Sequence, residues 1–171
     1  MRNNYEVRAQ KFVETFFDYA IECVKTRKRN QITQIVDSFN ITHHRNVKWC
    51  RGYTRIAFIT SDYVIKVDYN PDDNFGDSEH ELYLYEQAVT DGFDYLFAKI
   101  TCFKYKNVSF YIMPLITGID TTRPEDAQRY MTYEEENWCA KHGLFDLHSA
   151  NYGITRDGLK IFDYAACDMD C

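Results

Sequence analysis

The sequence predicts an α+β fold on three observations: an N-terminal stretch with helical spacing, a middle of short β-prone runs interrupted by one helix, and a closing hairpin. Over residues 5–28, Ala9, Phe12, Val13, Phe16, Phe17, Ala20, Ile21 and Val24 recur at intervals that wind one broad apolar face onto a helix. Thr26-Arg27-Lys28-Arg29 ends that helix with cations where its dipole favours them. A second, short helix is expected over residues 31–39, with Ile32, Ile35, Val36 and Phe39 on one side. These helices either add core against the sheet or offer a face to a partner. The basic cluster at residues 25–29 is either a solvated helix end or a contact for an anion or nucleic acid.

The sheet follows. Val47-Lys48-Trp49-Cys50 and Arg55-Ile56-Ala57-Phe58-Ile59-Thr60 read as strands flanking the loop Arg51-Gly52-Tyr53-Thr54. Val64-Ile65-Lys66-Val67 then sets a lysine inside an apolar, β-branched run after the turn signal Ser61-Asp62. A lysine on a buried strand is too costly to leave unpaired, so Lys66 requires an anion. Residues 78–87 read as a helix with Asp77 or Ser78 as its cap. Glu81, followed by Leu84 and Tyr85 at i+3 and i+4, borders the buried face and can reach Lys66. Glu79, followed by Leu82 and Tyr83, is the alternative partner. Residues 96–103 and 108–113 suggest another antiparallel pair, after which Pro114-Leu115-Ile116-Thr117-Gly118 turns the chain. A helix is expected over 125–141, with Thr122 or Arg123 near its start and Pro124 in its first turn.

Asp146-Leu147-His148-Ser149-Ala150-Asn151-Tyr152-Gly153, followed by Lys160-Ile161-Phe162-Asp163-Tyr164-Ala165, carries the most chemistry. Tyr152-Gly153-Ile154 and Leu159-Lys160-Ile161-Phe162 are short strands joined through the tight-turn pair Asp157-Gly158. Their pairing puts Asn151 and Asp163 at one open end, with Asp146 just before it. Two carboxylates and an amide so arranged can hold a divalent cation and position a hydroxyl beside a phosphoryl group.

These segments resemble the catalytic and metal-binding segments of the protein-kinase-like superfamily, especially its aminoglycoside and choline kinase branches. The resemblance covers about residues 47–166 and keeps the family's order: covering loop, Lys strand, Glu helix, hinge, catalytic and metal hairpin. It implies a small lobe over residues 47–113, a hinge and truncated, mostly helical large lobe over 114–171, and an N-terminal helical extension over 1–46. It also implies an ATP- and Mg²⁺-dependent phosphotransferase. Asp146 would be the catalytic base, with Asn151 and Asp163 as Mg²⁺ ligands and Lys66 on the nucleotide's phosphates, held by Glu81. Gly52 would lie in the nucleotide-covering loop, and Met113 would border the purine or simply close a strand in the core. Departures are plain: one glycine in the covering loop, Leu144 where most protein kinases have His, and Asp163-Tyr164-Ala165 in place of Asp-Phe-Gly. Only eight residues follow Asp163, so no activation segment or peptide-substrate groove is expected. The acceptor hydroxyl, on a protein or small molecule, is not specified by the sequence. A second reading is a pseudokinase, a nucleotide-binding adaptor or inhibitor of a partner protein.

Composition fits a soluble domain large enough to bury a core: 171 residues, 45% hydrophobic and 27% charged. Neither a membrane span nor a signal-peptide apolar stretch is legible. A net charge of −6 argues against general nucleic-acid affinity. Cys23, Cys50, Cys102, Cys139, Cys167 and Cys171 form no C-x-x-C pair, and reduced thiols in a cytoplasm are the expectation.

Overall fold

Two amphipathic helices, α1 (Asn4–Thr26) and α2 (Arg29–His43), lie against an antiparallel sheet whose strands alternate between two unlike faces. The computed structural model describes residues 4–69, 76–116, 127–144, 147 and 151–162. The sheet contains β1 (Lys48–Arg51), β2 (Arg55–Ile59), β3 (Tyr63–Asp68), β4 (Thr101–Tyr105) and β5 (Val108–Pro114) in the order β1-β2-β3-β5-β4. Helix α3 (Asp77–Asp91) falls between β3 and β4; α4 (Tyr133–Lys141) and the hairpin β6 (Tyr152–Thr155) and β7 (Gly158–Ile161) follow. Among the described residues the architecture is mixed α+β, with four α-helices. None of those helices is long and apolar enough to cross a membrane.

Strand alternation sorts the side chains. Tyr63, Ile65 and Val67 of β3 join Ile56, Phe58, Phe110 and Ile112 in one apolar cluster with the buried face of α1 and α2. Phe16 sits at its centre, edge-on to Phe39 at 4.6 Å and to Phe58 at 4.7 Å, geometries that aromatic quadrupoles favour. The N-terminal helices are therefore core, and Phe17 and Ile21 are the half-buried margin of that face. The basic cluster at the end of α1 is partly structural. Lys25 pairs with Glu22 at 2.8 Å, and Arg27 donates to the Tyr69 carbonyl at 3.1 Å with its guanidinium over the Tyr69 ring.

The opposite face carries Val64, Lys66 and Asp68 toward α3. Ala98, Ile100, Tyr111 and Met113 form a small cluster there, against which Val64, Leu82 and Phe162 pack. A third cluster joins the end of α3, α4 and the hairpin around Trp138, whose indole donates to Asp91 at 2.8 Å and stacks on His142 at 4.2 Å.

Four sequence expectations need correction. Residues 96–103 are not one strand. Asp94–Leu96 form a 3₁₀ turn, Phe97 bridges to Ile161, and β4 begins only at Thr101, because the buried residues Leu96, Phe97, Ala98 and Ile100 serve two clusters. The helix expected over 125–141 is a 3₁₀ turn at Ala127–Tyr130 followed by α4, which starts afresh at a capping box between Thr132 and Glu135. Residues 117–126, including Thr122, Arg123 and Pro124, lie outside the described residues. Helix α3 is capped by Gly76, not by Asp77 or Ser78, whose side chains are engaged by Thr54 and Asp68. In the last hairpin the two turn residues are Arg156 and Asp157; Gly158 opens β7 with φ of +104°, a conformation glycine adopts without strain.

Cys23 and Cys139 are buried and free, and burial pushes their thiols up to about 12 and about 11. Neither will be thiolate at neutral pH, so both should resist iodoacetamide at about pH 8 in the folded protein and react only after denaturation. Peptide mass mapping of the labelled sites checks this.

Candidate functional site

Lys66 points from the middle of β3 to the face that carries α3, and its side chain is 3% exposed. Its neighbours in register are Ala57 on β2 and Tyr111 on β5, so no strand partner supplies an anion. Glu81, on the first half of α3 and 1% exposed, supplies it: Lys66 Nζ donates to Glu81 Oε1 at 3.1 Å and to Oε2 at 3.0 Å. Glu79 is exposed on the same helix and is not the partner.

A third contact comes from far along the chain. Lys66 Nζ donates to the main-chain carbonyl of Phe162 at 3.1 Å, across 96 residues of sequence. The hairpin can reach that point because it is tied to the segment after α3. Ala98 donates its amide to the Ile161 carbonyl at 2.8 Å, Phe97 bridges Ile161, and Lys160 Nζ donates to the Tyr95 carbonyl. Ile161 is fully buried in the third cluster. The Phe162 amide donates to the Asn151 carbonyl at 2.9 Å and closes the open end of the hairpin. Asn151 is fully buried there. The structure therefore brings together Lys66, Glu81, the Phe162 main chain and the start of the hairpin at Asn151.

Arg55 is the member that sequence reasoning missed. It opens β2, is opposite Asp68 in register, and is 2% exposed. Its Nη2 donates to Glu81 Oε1 at 2.8 Å, so one carboxylate serves two buried cations. Arg55 Nη1 also reaches Ser78 Oγ at 3.4 Å, and that hydroxyl donates to Asp68 Oδ1 at 2.6 Å. Burial pushes the Asp68 carboxyl above its usual range, against the opposing pull of the Ser78 hydroxyl and the Arg55 charge. The signal was present: a charged residue heading an otherwise apolar strand faces the same burial cost that singled out Lys66.

Gly76 lets this cluster close. A Cβ at position 76 would collide with the Asp68 carboxylate, which is short, buried and held by Ser78. Gly76→Ala should therefore lower stability by about 1–3 kcal/mol, read from urea unfolding. The cost arises from overpacking, since the backbone at Gly76 has an ordinary negative φ.

Other expected site residues stand apart from this core. The Gly52 amide donates to the Arg55 carbonyl at 2.9 Å and closes the β1–β2 hairpin, so it is spent within the turn. Met113 is buried on β5 opposite Val64, in the same small cluster as Phe162. Asp146 and Asp163 lie outside the described residues. Among the described residues no group of three His, Cys, Asp or Glu side chains is placed to hold a metal ion. The donors expected of Asn151 and Asp163, an amide and a carboxylate oxygen, are of the hard type that suits Mg²⁺.

Chemically, the arrangement is a fixed ammonium held by a shared carboxylate, with a second cation behind it. Both cations are shielded from water, where their field on an approaching anion is strong. No protein-family model matches this chain, and no curated protein matches it.

Proposed function

We propose that the chain is an ATP- and Mg²⁺-dependent phosphotransferase of the protein-kinase-like type, acting on a hydroxyl of a protein or small molecule. The observation that supports it most is the Lys66 ammonium, shared between Glu81 and the carbonyl of the residue next to Asp163. Lysine, helix glutamate and the hairpin that leads to the expected metal ligand thus belong to one junction. The antiparallel sheet with a helix inserted after its third strand supports the same reading.

In this reading Lys66 orients the nucleotide's phosphates, and Glu81 fixes the ammonium so that little reorganisation is needed at transfer. Arg55 holds Glu81 from the other side. The Gly52 loop covers the nucleotide and Met113 borders its base. Asn151 and Asp163 would hold Mg²⁺, which when bound supplies charge neutralisation on the phosphates. Asp146 accepts the proton of the acceptor hydroxyl, or orients it. Free thiols at the described cysteines support a reducing, cytoplasmic setting.

One observation favours a second reading, a pseudokinase that binds a partner without turnover. Among the described residues the Lys66 ammonium already donates to two Glu81 oxygens and the Phe162 carbonyl, so a phosphate must compete with them. Incubation with Mg²⁺ and γ-labelled ATP separates the two. Loss of the γ-phosphate, with a mass gain of about 80 Da on an acceptor, is the result expected of a phosphotransferase. Nucleotide binding without that loss assigns the adaptor role, and neither result defeats both readings.

A further inference from the structure

On the opposite face of the sheet from Lys66 lies a cavity of about 750 Å³, between the start of α1, the end of α2 and the β2–β3 turn. That is the size of a small-molecule site. Its basic lining is Arg8, Lys11, His43, His44, Arg45 and Lys48. Against these stands one carboxylate, Asp62, already bound by Arg8 at 2.6 Å. With Arg8 and Asp62 paired, the three permanent cations Lys11, Arg45 and Lys48 locally reverse the sign of a chain whose net charge is −6. Phe12, Phe39, Val47 and Tyr63 supply a buried apolar wall.

The loop that carries His44 and Arg45 is pinned at both ends. The amides of His44 and Arg45 both donate to the Asn40 carbonyl. The Asn40 side chain then makes a two-bond clamp on Val47, donating to its carbonyl and accepting from its amide, each at 2.9 Å. A loop fixed in this way offers its cations without a backbone ordering cost at binding. Arg45 and Arg8 also lie close enough to Tyr63 to oppose the upward push of burial on its phenol, so their positive field reaches into the cavity wall.

We infer that this cavity is a binding site for a small, multiply charged phosphate-bearing anion. It is separate from the Lys66 junction and does not depend on the chemistry proposed there. Several lysine and arginine side chains, each able to donate to phosphate oxygens, suit a ligand with more than one phosphate group.

The probe is inorganic tripolyphosphate, titrated by calorimetry. The wild-type chain should bind it, and the Lys11→Ala, Arg45→Ala, Lys48→Ala triple variant should weaken binding by at least about tenfold. All three residues are exposed, so the fold should tolerate their loss; should the triple variant melt early, Arg45→Ala alone must still weaken binding measurably. Lys66→Met should leave this binding intact, which separates it from the proposed nucleotide site. A control that removes Lys28, Lys104 and Lys141, exposed cations elsewhere, should also retain it. Absence of binding in the wild type, an unchanged affinity in the triple variant, or an equal loss in the control or in Lys66→Met would overturn the assignment. An acidic peptide that binds where tripolyphosphate does not would overturn it too.

Discussion

Glu81→Gln should destabilise the protein by about 3–5 kcal/mol, the cost of breaking a buried ion pair by removing one partner's charge. The substitution preserves volume and shape, removes the charge and turns one accepting oxygen into a donor. Two cations depend on it: Lys66 at 3.0 and 3.1 Å and Arg55 at 2.8 Å, both nearly fully buried. Neither can turn to water without unpacking α3 from the sheet. For a chain of this size the loss corresponds to a fall in melting temperature of roughly 10 °C. Glu79→Gln, two residues away and exposed, should stay within about 0.5 kcal/mol of wild type. Adding Arg55→Met to Glu81→Gln should recover part of the loss, since it removes one of the two buried cations that Glu81 serves, and the non-additivity measures the coupling. If Glu81→Gln cost less than about 1 kcal/mol, the two cations would not be desolvated as described.

The largest effect on activity is expected from Lys66→Met. Met keeps most of the apolar stem and removes the ammonium, while Glu81 remains bound by Arg55. The fold should therefore suffer less from this change than from Glu81→Gln. Transfer of the γ-phosphate should fall at least about a hundredfold, or ~2.7 kcal/mol in barrier, which is within reach of one or two charge-assisted hydrogen bonds to phosphate. Asp163→Ala should cause a comparable loss through the metal, with little change in melting temperature. A Lys66→Met protein that turns over ATP at the wild-type rate would remove Lys66 from the mechanism.

How far the fold was legible depends on how locally each element is determined. The helical face of α1 is legible from periodicity, and the strand around Lys66 from its apolar, β-branched run and the turn before it, because both patterns are local. The Lys66–Glu81 pair was legible for an energetic reason: a buried ammonium demands an anion, and α3 offered two candidates at usable positions. What the sequence could not reveal was non-local. Leu96, Phe97, Ala98 and Ile100 look like strand because they are apolar, yet Leu96 and Phe97 pack with the last hairpin, an element remote in sequence. Arg55 reads as an ordinary strand opening because its two acids, Glu81 and Asp68, meet it only once β2, β3 and α3 are assembled. The cap of α3 departs from expectation for a related reason: Ser78 and Asp77 are good capping residues, and tertiary partners engage both of them.

The most direct test of the Lys66 junction as a nucleotide site is a melting titration with Mg²⁺ and ATP. At about a hundred times its dissociation constant, a ligand of the folded form adds ~2.7 kcal/mol, which here means a rise of roughly 5–10 °C. The wild-type chain should show that rise and Lys66→Met should not. No rise in the wild type, or the same rise in both proteins, would contradict a nucleotide held by Lys66.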